Sequence, residues 1–273
     1  MAISSMDGLI AAMTASTAQN ITFNKTSSST EGSGTFFDFS QTAGIPGAMA
    51  TPSAASSGGT SYTGSAAGGL AFTAPSAGQS TYLSSFSVTG TVPGNFYMVD
   101  RLWACSGLSG TLSATTTVTG MSNITRYSGG VGAEIWYWCI SAPGAGGSGT
   151  MTVSYTNSDG VSGRTCTIVI GAGTPPPSAG QCVVGSLQVG DKGVQSIQSV
   201  TNTSVSFTGG SHGLFVARRL ITAPIASPSV GASLDGLRTG LQQIDTNACL
   251  NFMLLCSNTT TGYWVGNVNL VQG

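Results

Sequence analysis

The sequence predicts an all-β chain of antiparallel β-sandwich or jelly-roll-like layers, with a short N-terminal helix and an extended Ser/Thr/Gly-rich arm. Three observations predict this fold class. Short runs of β-branched and aromatic residues recur between turn signals, 40 glycines are spread over the 273 residues, and only one segment has helical periodicity. The length suffices for one large β-domain or two smaller ones.

The helical segment covers residues 5–20. Ser5 can cap it, and Leu9, Ile10 and Met13 recur at helical spacing. A helix at the start of a charge-poor β-protein is either a docking arm or a lid over one end of a sheet. Both interpretations make Leu9, Ile10 and Met13 candidate contact residues.

From about residue 26 to residue 80 the composition shifts to Ser, Thr, Gly, Ala and Pro. Such a segment cannot bury enough apolar surface to form a core of its own. We expect an extended arm anchored by Phe36, Phe37 and Phe39, which can become ordered against a neighbouring subunit. Residues 1–80 are therefore predicted to form the helix and the arm.

Strand-like runs follow, with turn signals between them. They cover residues 81–88, 95–104, 112–119, 133–141, 151–155, 164–170, 193–200, 204–208, 214–220, 249–257 and 262–270. The run 133–141 is dense in aromatic and β-branched residues, so we expect a central strand with large side chains on both faces. The turn at Asp159-Gly160 predicts an antiparallel hairpin.

The proline-rich run at residues 174–178 breaks the strand pattern, because proline has no N–H to donate to a sheet. We expect a long connection or a boundary near residues 172–184. Residues 81–172 then form a β-sandwich subdomain. Residues 184–273 either form a second β-subdomain or complete the same sandwich.

Charged residues make up only 6% of the chain, about a quarter of the usual fraction. The formal net charge is −1, and 8 basic residues are too few for the many phosphate contacts of a nucleic-acid-binding protein. No apolar stretch is long enough to predict a membrane-spanning helix. A surface with few hydrated charges costs little to desolvate against another protein, which favours a place in an assembly.

The six cysteines are dispersed and include no CxxC pair. Their even number suits a disulfide framework. Several of them lie inside apolar runs, so we interpret them as buried reduced thiols that act as small hydrophobic residues.

Residues for catalysis are few. His212, the only histidine, lies in a glycine-rich turn, and no Gly-x-Ser-x-Gly elbow supplies a nucleophile. A hydrolase would have to use Glu134, Asp159 and His212. No spacing of a zinc or calcium site is present. The sequence therefore predicts no enzyme, no metal and no cofactor.

Two charged pairs, Asp100-Arg101 and Arg218-Arg219, lie within apolar runs. A buried charge needs a partner to offset its desolvation, so we expect these residues to form salt bridges that specify the fold. The alternative is that these charged residues form contacts between subunits.

Nine short motifs occur in order along nearly the whole chain. They are SMDGLIAA at 5–12, AGIPG at 43–47, VDRLW at 99–103, GLSG at 107–110, VSYTN at 153–157, DGVSGR at 159–164, GDKGVQSIQSV at 190–200, ARRL at 217–220 and NACL at 247–250. In these motifs the chain resembles a widespread group of tailed-bacteriophage virion proteins. The motifs include no catalytic signature, so the resemblance implies a place in the particle rather than a reaction.

Within that setting, we expect a capsid decoration or cement protein that binds outside the head shell. Its expected partner is the major capsid protein of the same particle, and a homo-oligomer is expected, with a trimer as the first guess. A major shell protein of the usual tailed-phage type would need a long spine helix and a mixed α/β core. The N-terminus has no signal-peptide pattern, so we expect assembly into the virion in the bacterial cytoplasm.

The alternative is a receptor- or glycan-binding component of the tail, neck or fibre. Trp103, Tyr127 and Trp264 are the aromatic residues that could stack on sugars. Burial in the core is the competing interpretation for all three.

Overall fold

The structure, a computed structural model, describes residues 3–27, 32–64, 66, 68–109, 113–146, 149–171, 177–204 and 207–273. Its helical elements are α1 (Met6–Thr14), a 3-10 turn (Ala55–Ser57), a turn at Arg126–Gly130 and a short helix at Gly236–Thr239. Its strands are β1 (Gln19–Thr26), β2 (Phe36–Asp38), β3 (Gly44–Ile45), β4 (Thr60–Ser61), β5 (Thr81–Gly90), β6 (Gly94–Cys105), β7 (Thr115–Thr117), β8 (Ala133–Ser141), β9 (Ala145–Gly146), β10 (Gly149–Asn157), β11 (Arg164–Ile170), β12 (Gln181–Val184), β13 (Val194–Asn202), β14 (Phe207–Thr208), β15 (Ser211–Ile225), β16 (Ala232–Asp235), β17 (Gln243–Ile244), β18 (Leu250–Cys256) and β19 (Tyr263–Gln272).

The middle of the molecule is a closed barrel. Strands β15, β8, β12, β2, β18 and β6 pair in that order, all antiparallel, and β6 pairs again with β15 to close the ring. Large side chains fill the interior, including Trp136, Trp138, Phe215, Tyr97 and Met253. Each of these six strands therefore has a neighbouring strand on both sides, which is what closes a barrel.

A second sheet covers one side of the barrel, with the order β16-β5-β19-β1-β3, and β17 also pairs with β5. Strand β1 pairs with β19 along its whole length. Between this sheet and the barrel lies an aromatic core in which Phe23 stacks on Phe252, with ring centroids 4.1 Å apart, and on Phe86 at 5.7 Å. Burial of these rings supplies much of the driving force that holds the two layers together.

A third sheet, in the order β11-β10-β13-β7, covers another face of the barrel. Its inward residues Met151 and Val153 share a buried core with Ile135 and Tyr137 of β8. Strand β8 therefore buries large side chains on both faces, since Trp136 and Trp138 point into the barrel. Strands β10 and β11 form the antiparallel hairpin that the Asp-Gly turn predicts.

These three layers confirm the predicted all-β antiparallel architecture with a short N-terminal helix. The helix is shorter than predicted. Ser5 caps it, with its Oγ accepting a hydrogen bond from the Gly8 N–H at 3.1 Å. It ends at Thr14 because Ala15 is extended, and the chain enters β1 at Gln19.

Most of the predicted strands are present within one to a few residues of their expected bounds. Sequence analysis missed β1, β2, β12 and β16, and also the two-residue strands β3, β4, β9 and β17. Strand β1 lies where the helix was expected to end, and β12 lies inside the expected connection at 172–184. Leu112, residues 174–176 and residues 205–206, which belong to predicted elements, lie outside the described residues.

Strands from all three predicted ranges share sheets. From the range 1–80, β1 pairs with β19 and β2 pairs with β18. Across the predicted boundary, β6 pairs with β15 and β10 pairs with β13. Residues 81–172 and 184–273 therefore contribute strands to the same layers.

The six cysteines, all of them described, are buried and form no disulfide. Burial raises the pKa of the Cys105 and Cys166 thiols to about 12, so these thiols stay protonated at neutral pH. Among the described residues, no helix combines the length and the apolar character needed to cross a membrane.

Candidate functional site

The three residues considered for hydrolysis do not converge. Glu134 pairs in register with Ala217 and His212 with Cys139, so Glu134 and His212 are five positions apart along the β8–β15 pair, roughly 17 Å. The His212 imidazole is buried against Phe207 and shares a 2.7 Å hydrogen bond with Tyr137. Desolvation lowers the pKa of His212. Asp159 lies in the β10–β11 turn.

Within the described residues, no three His, Cys, Asp or Glu side chains are clustered closely enough to hold a metal ion. Glu134 instead pairs with Arg219, whose side chain is 44% exposed. An ion pair this exposed contributes little to stability.

A buried ion pair lies inside the barrel. The Arg101 Nη1 donates to both carboxylate oxygens of Asp38, at 3.1 and 2.9 Å, and both side chains are almost fully buried. The guanidinium lies over the rings of Phe215, at 4.2 Å, and Trp138, at 4.7 Å. Ser40 also donates its hydroxyl to Asp38. The carboxylate and the aromatic rings compensate part of the lost hydration of the arginine, while its buried Nε and Nη2 atoms have no hydrogen-bond partner among the described residues.

Lys25 of β1 is a third buried charge near this pair. Its Nζ donates to the backbone carbonyls of Pro46, at 2.7 Å, and Thr42, at 3.2 Å. Desolvation lowers the pKa of Lys25 to about 8, while the negative charge of Asp38 opposes that shift. Sequence analysis missed both Lys25 and Asp38. Phe23 and Lys25 are two positions apart, so they lie on the same face of a strand. This spacing is the signal that could have indicated a buried lysine.

Asp100 is the centre of a second buried network. Its carboxylate pairs with Arg126 at 3.2 Å and accepts hydrogen bonds from the Tyr127 hydroxyl at 2.7 Å and the Cys249 N–H at 2.8 Å. Desolvation raises the pKa of Asp100 to about 6, although Arg126 opposes the rise. Arg126 also donates to the carbonyls of Tyr62 and Asn247, so the network joins three separate parts of the chain.

The backbone next to Asp100 is strained. Tyr127, Ser128, Gly129 and Gly130 have φ values of 57°, 54°, 82° and 87°, which form a left-handed turn. A left-handed conformation costs a residue with a Cβ about 1–2 kcal/mol. The Tyr127 hydrogen bond to Asp100 holds the turn in place.

Arg218 also holds the turn, because its guanidinium lies 4.1 Å over the Tyr127 ring. Tyr127 and Ser128 form one wall of a polar cleft of about 340 Å³. We call it the Tyr127 cleft, and its lining residues are Tyr127, Ser128, Arg218, Gln242, Gln243 and Asp245.

A third polar network lies at the far end of the third sheet. Asp191 pairs with Arg164 at 2.9 Å and accepts hydrogen bonds from Tyr155 and Asn157. The hydrogen bond from Arg164 is the main reason that the pKa of Asp191 falls to about 2. This network fastens the β10–β11 hairpin to the loop before β13, so its role is structural.

Helix α1 has two different faces. Leu9 is buried and belongs to a small core with Tyr82 and Val271. Ile10 and Met13 are 54% and 53% exposed, so they face outward. The helix therefore covers one end of the second sheet, as the lid interpretation expects, and it presents an apolar outer face.

The aromatic residues of the arm are covered within the same chain. Phe37 and Phe39 are fully buried, and Phe36 is half-buried against Trp136. Two of the three predicted sugar-stacking residues are also buried, which corrects that expectation. Trp103 is 1% exposed and Trp264 is 0% exposed, so neither ring can stack on a ligand.

No protein-family model matches the sequence, and no curated protein matches it. The chain is similar to the crystal structure of the infectious bursal disease virus VP2 subviral particle, with 11% identity, a TM-score of 0.25, and coverage of 93% of this chain and 80% of that chain. It is similar to the structure of the Gx strain of that virus, with 11% identity, a TM-score of 0.23, and coverage of 94% and 81%. TM-scores this low carry no argument about the role of the chain.

Proposed function

We propose that this chain is a virion structural protein of a tailed bacteriophage, and specifically a decoration or cement protein that stabilises the head shell through protein–protein contacts. The observation that carries the proposal is the scarcity of surface charge. Only 6% of the residues are charged, and four of them, Lys25, Asp38, Asp100 and Arg101, are withdrawn into the interior. A surface so poor in ions is cheap to desolvate against a protein partner.

The outer face of α1 supports the same proposal. Met6, Ile10 and Met13 each expose about half of their side chains, and they follow one another at helical spacing. The inner face of the helix is anchored by Leu9, so the outer face is presented on a fixed support. We propose that this outer face contacts the major capsid protein.

A barrel with two flanking sheets is an architecture that suits a rigid structural protein. The dispersal of Glu134, Asp159 and His212 supports a role without catalysis, which is part of the proposal.

We also propose that the protein acts as a homo-oligomer, with a trimer as the first arrangement to test. Size-exclusion chromatography with light scattering measures this directly, and a strictly monomeric protein at micromolar concentration would contradict the oligomer.

The decisive experiment is to locate and count the chain in intact particles. Quantitative mass spectrometry and cryo-electron microscopy of purified virions are expected to find many copies on the head surface, in a fixed ratio to the major capsid protein. A few copies confined to the tail or neck would support the receptor-binding alternative instead. Absence from the particle would refute a virion role.

A binding experiment tests the helix contact. The double variant Ile10→Ser/Met13→Ser is expected to bind purified head shells lacking the chain much less tightly, and to lose the protection of those shells against heat. Val189→Ser is the matched control, because Val189 is 96% exposed in a loop remote in sequence from the helix. Equal binding by both variants would refute the helix contact.

A further inference from the structure

The Tyr127 cleft contains two opposite charges that are not paired with each other. Arg218 and Asp245 line the same cleft, but neither forms an ion pair with any described residue. The buried or half-buried carboxylates Asp38, Asp100 and Asp191 all pair with arginines. In a chain with so few charges, an unpaired cation and an unpaired anion on one cleft indicate a site that is complementary to a ligand.

The cleft also has unused hydrogen-bonding capacity. The described contact of the Arg218 guanidinium is with the Tyr127 ring, which leaves its N–H groups available as donors. Asp245 accepts one backbone hydrogen bond, from Asn247 at 2.8 Å on Oδ1. Gln242 and Gln243 use their Nε2 groups as donors, to the Gln243 carbonyl and the Ser80 hydroxyl, so their Oε1 atoms can accept. The cleft therefore offers both hydrogen-bond donors and hydrogen-bond acceptors.

This arrangement selects a class of ligand. An anion would be repelled by Asp245 and a cation by Arg218, so the best ligand is neutral. It must also donate and accept hydrogen bonds at several positions, as the hydroxyl groups of a sugar do. The volume of about 340 Å³ lies at the small end of ligand sites. We propose that the Tyr127 cleft binds one neutral sugar unit, a function beyond the proposed structural role in the particle.

The strained backbone supports this proposal. Tyr127 and Ser128 hold left-handed conformations in one wall of the cleft, and strained residues concentrate at ligand-binding sites. Asp100 and Arg218 fix Tyr127 from its hydroxyl and its ring face. A wall that is already rigid loses little conformational freedom when a ligand binds, which favours affinity.

The test is saturation-transfer NMR and calorimetry on the full chain with the methyl glycosides of glucose, galactose, mannose, rhamnose and N-acetylglucosamine. At least one glycoside is expected to bind. Arg218→Gln and Asp245→Asn are each expected to weaken that binding about tenfold or more, because each replaces a charge-assisted hydrogen bond by a neutral one. Lys192→Gln, at an exposed lysine outside the cleft, is the charge-matched control and is expected to bind as the wild type does.

Two results would overturn the proposal: no glycoside binds, or both cleft variants bind as well as the wild type. Free glycine is titrated in parallel, and its binding without any glycoside would assign the cleft to a zwitterion instead. Circular dichroism verifies that the variants fold, and Asp245→Asn keeps an oxygen for the Asn247 N–H. Incorporation of Arg218→Gln into particles is expected to be normal. Failure of the sugar site and failure of the structural role are therefore distinguishable.

Discussion

Replacing Arg101 by methionine tests how the barrel tolerates a charge in its interior. The substitution removes the guanidinium that donates two hydrogen bonds to Asp38 and lies over Trp138 and Phe215. The Asp38 carboxylate then stays buried, with Ser40 as its remaining hydrogen-bond donor among the described residues. Leaving a buried charge without its partner costs about 3–5 kcal/mol.

Each kcal/mol lowers the melting temperature of a chain of this size by about 2–4 °C, so Arg101→Met is expected to melt about 6–20 °C below the wild type. Calorimetry and urea unfolding followed by tryptophan fluorescence measure the change. Arg219→Met is the matched control, because it removes an arginine from an ion pair whose side chains are 44% and 22% exposed. Its expected cost is below about 1 kcal/mol.

A double variant separates the buried charge from simple loss of packing. Arg101→Met combined with Asp38→Leu removes both charges and leaves apolar side chains, an exchange that is often neutral or stabilising. It is expected to recover most of the stability lost in Arg101→Met. If Arg101→Met is no more destabilising than Arg219→Met, or if the double variant is as unstable as the single one, the electrostatic explanation is wrong.

Two further predictions concern the Asp100 network and the left-handed turn. The pKa of Asp100 is raised from 3.8 to about 6, so its contribution to stability is complete below pH 3.8 and is lost as the pH rises through 6. Between pH 4 and pH 7, the unfolding free energy of the wild type is therefore expected to fall relative to that of Asp100→Asn. Parallel curves of unfolding free energy against pH for the two proteins would contradict the raised pKa. Gly130→Ala is expected to cost more than about 2 kcal/mol, because its φ is +87° and its Cβ would lie 1.9 Å from the Val194 carbonyl oxygen. Gly160→Ala is the control, because Gly160 has φ +80° but open space around the position of a Cβ. It isolates the cost of the left-handed backbone conformation alone, about 1 kcal/mol. Equal melting temperatures for the two glycine variants would refute the steric argument.

Local patterns predicted the longer apolar strands well. The continuous aromatic run of β8 indicated a strand that is buried on both faces. The alternation in β10 and β11 follows a period of two, and the Asp-Gly turn predicted the β10–β11 hairpin. The missed strands, among them β1, β2 and β12, are polar or short. Their strand conformation depends on neighbours that are distant in sequence, so a local pattern carries little information about it.

The candidate site was predicted only in part. Asp100, Arg101 and Arg218 were identified because charges within apolar runs need partners. The partners themselves, Arg126 and Asp38, lie in segments that read as loop or arm. The Tyr127 cleft escaped prediction because its walls come from three segments, residues 127–128, 218 and 242–245, that are far apart in the sequence.

The sequence alone determined the β-class, the position of the helix and the scarcity of charge, because each of these depends on composition or on patterns within a few residues. Only the tertiary structure decided that six strands close into a barrel, that β1 joins β19, and that Asp38 meets Arg101 inside. The physical reason is that a strand leaves its backbone hydrogen bonds to be satisfied by another strand. Which strand becomes that partner depends on the faces that must be buried together across the whole chain.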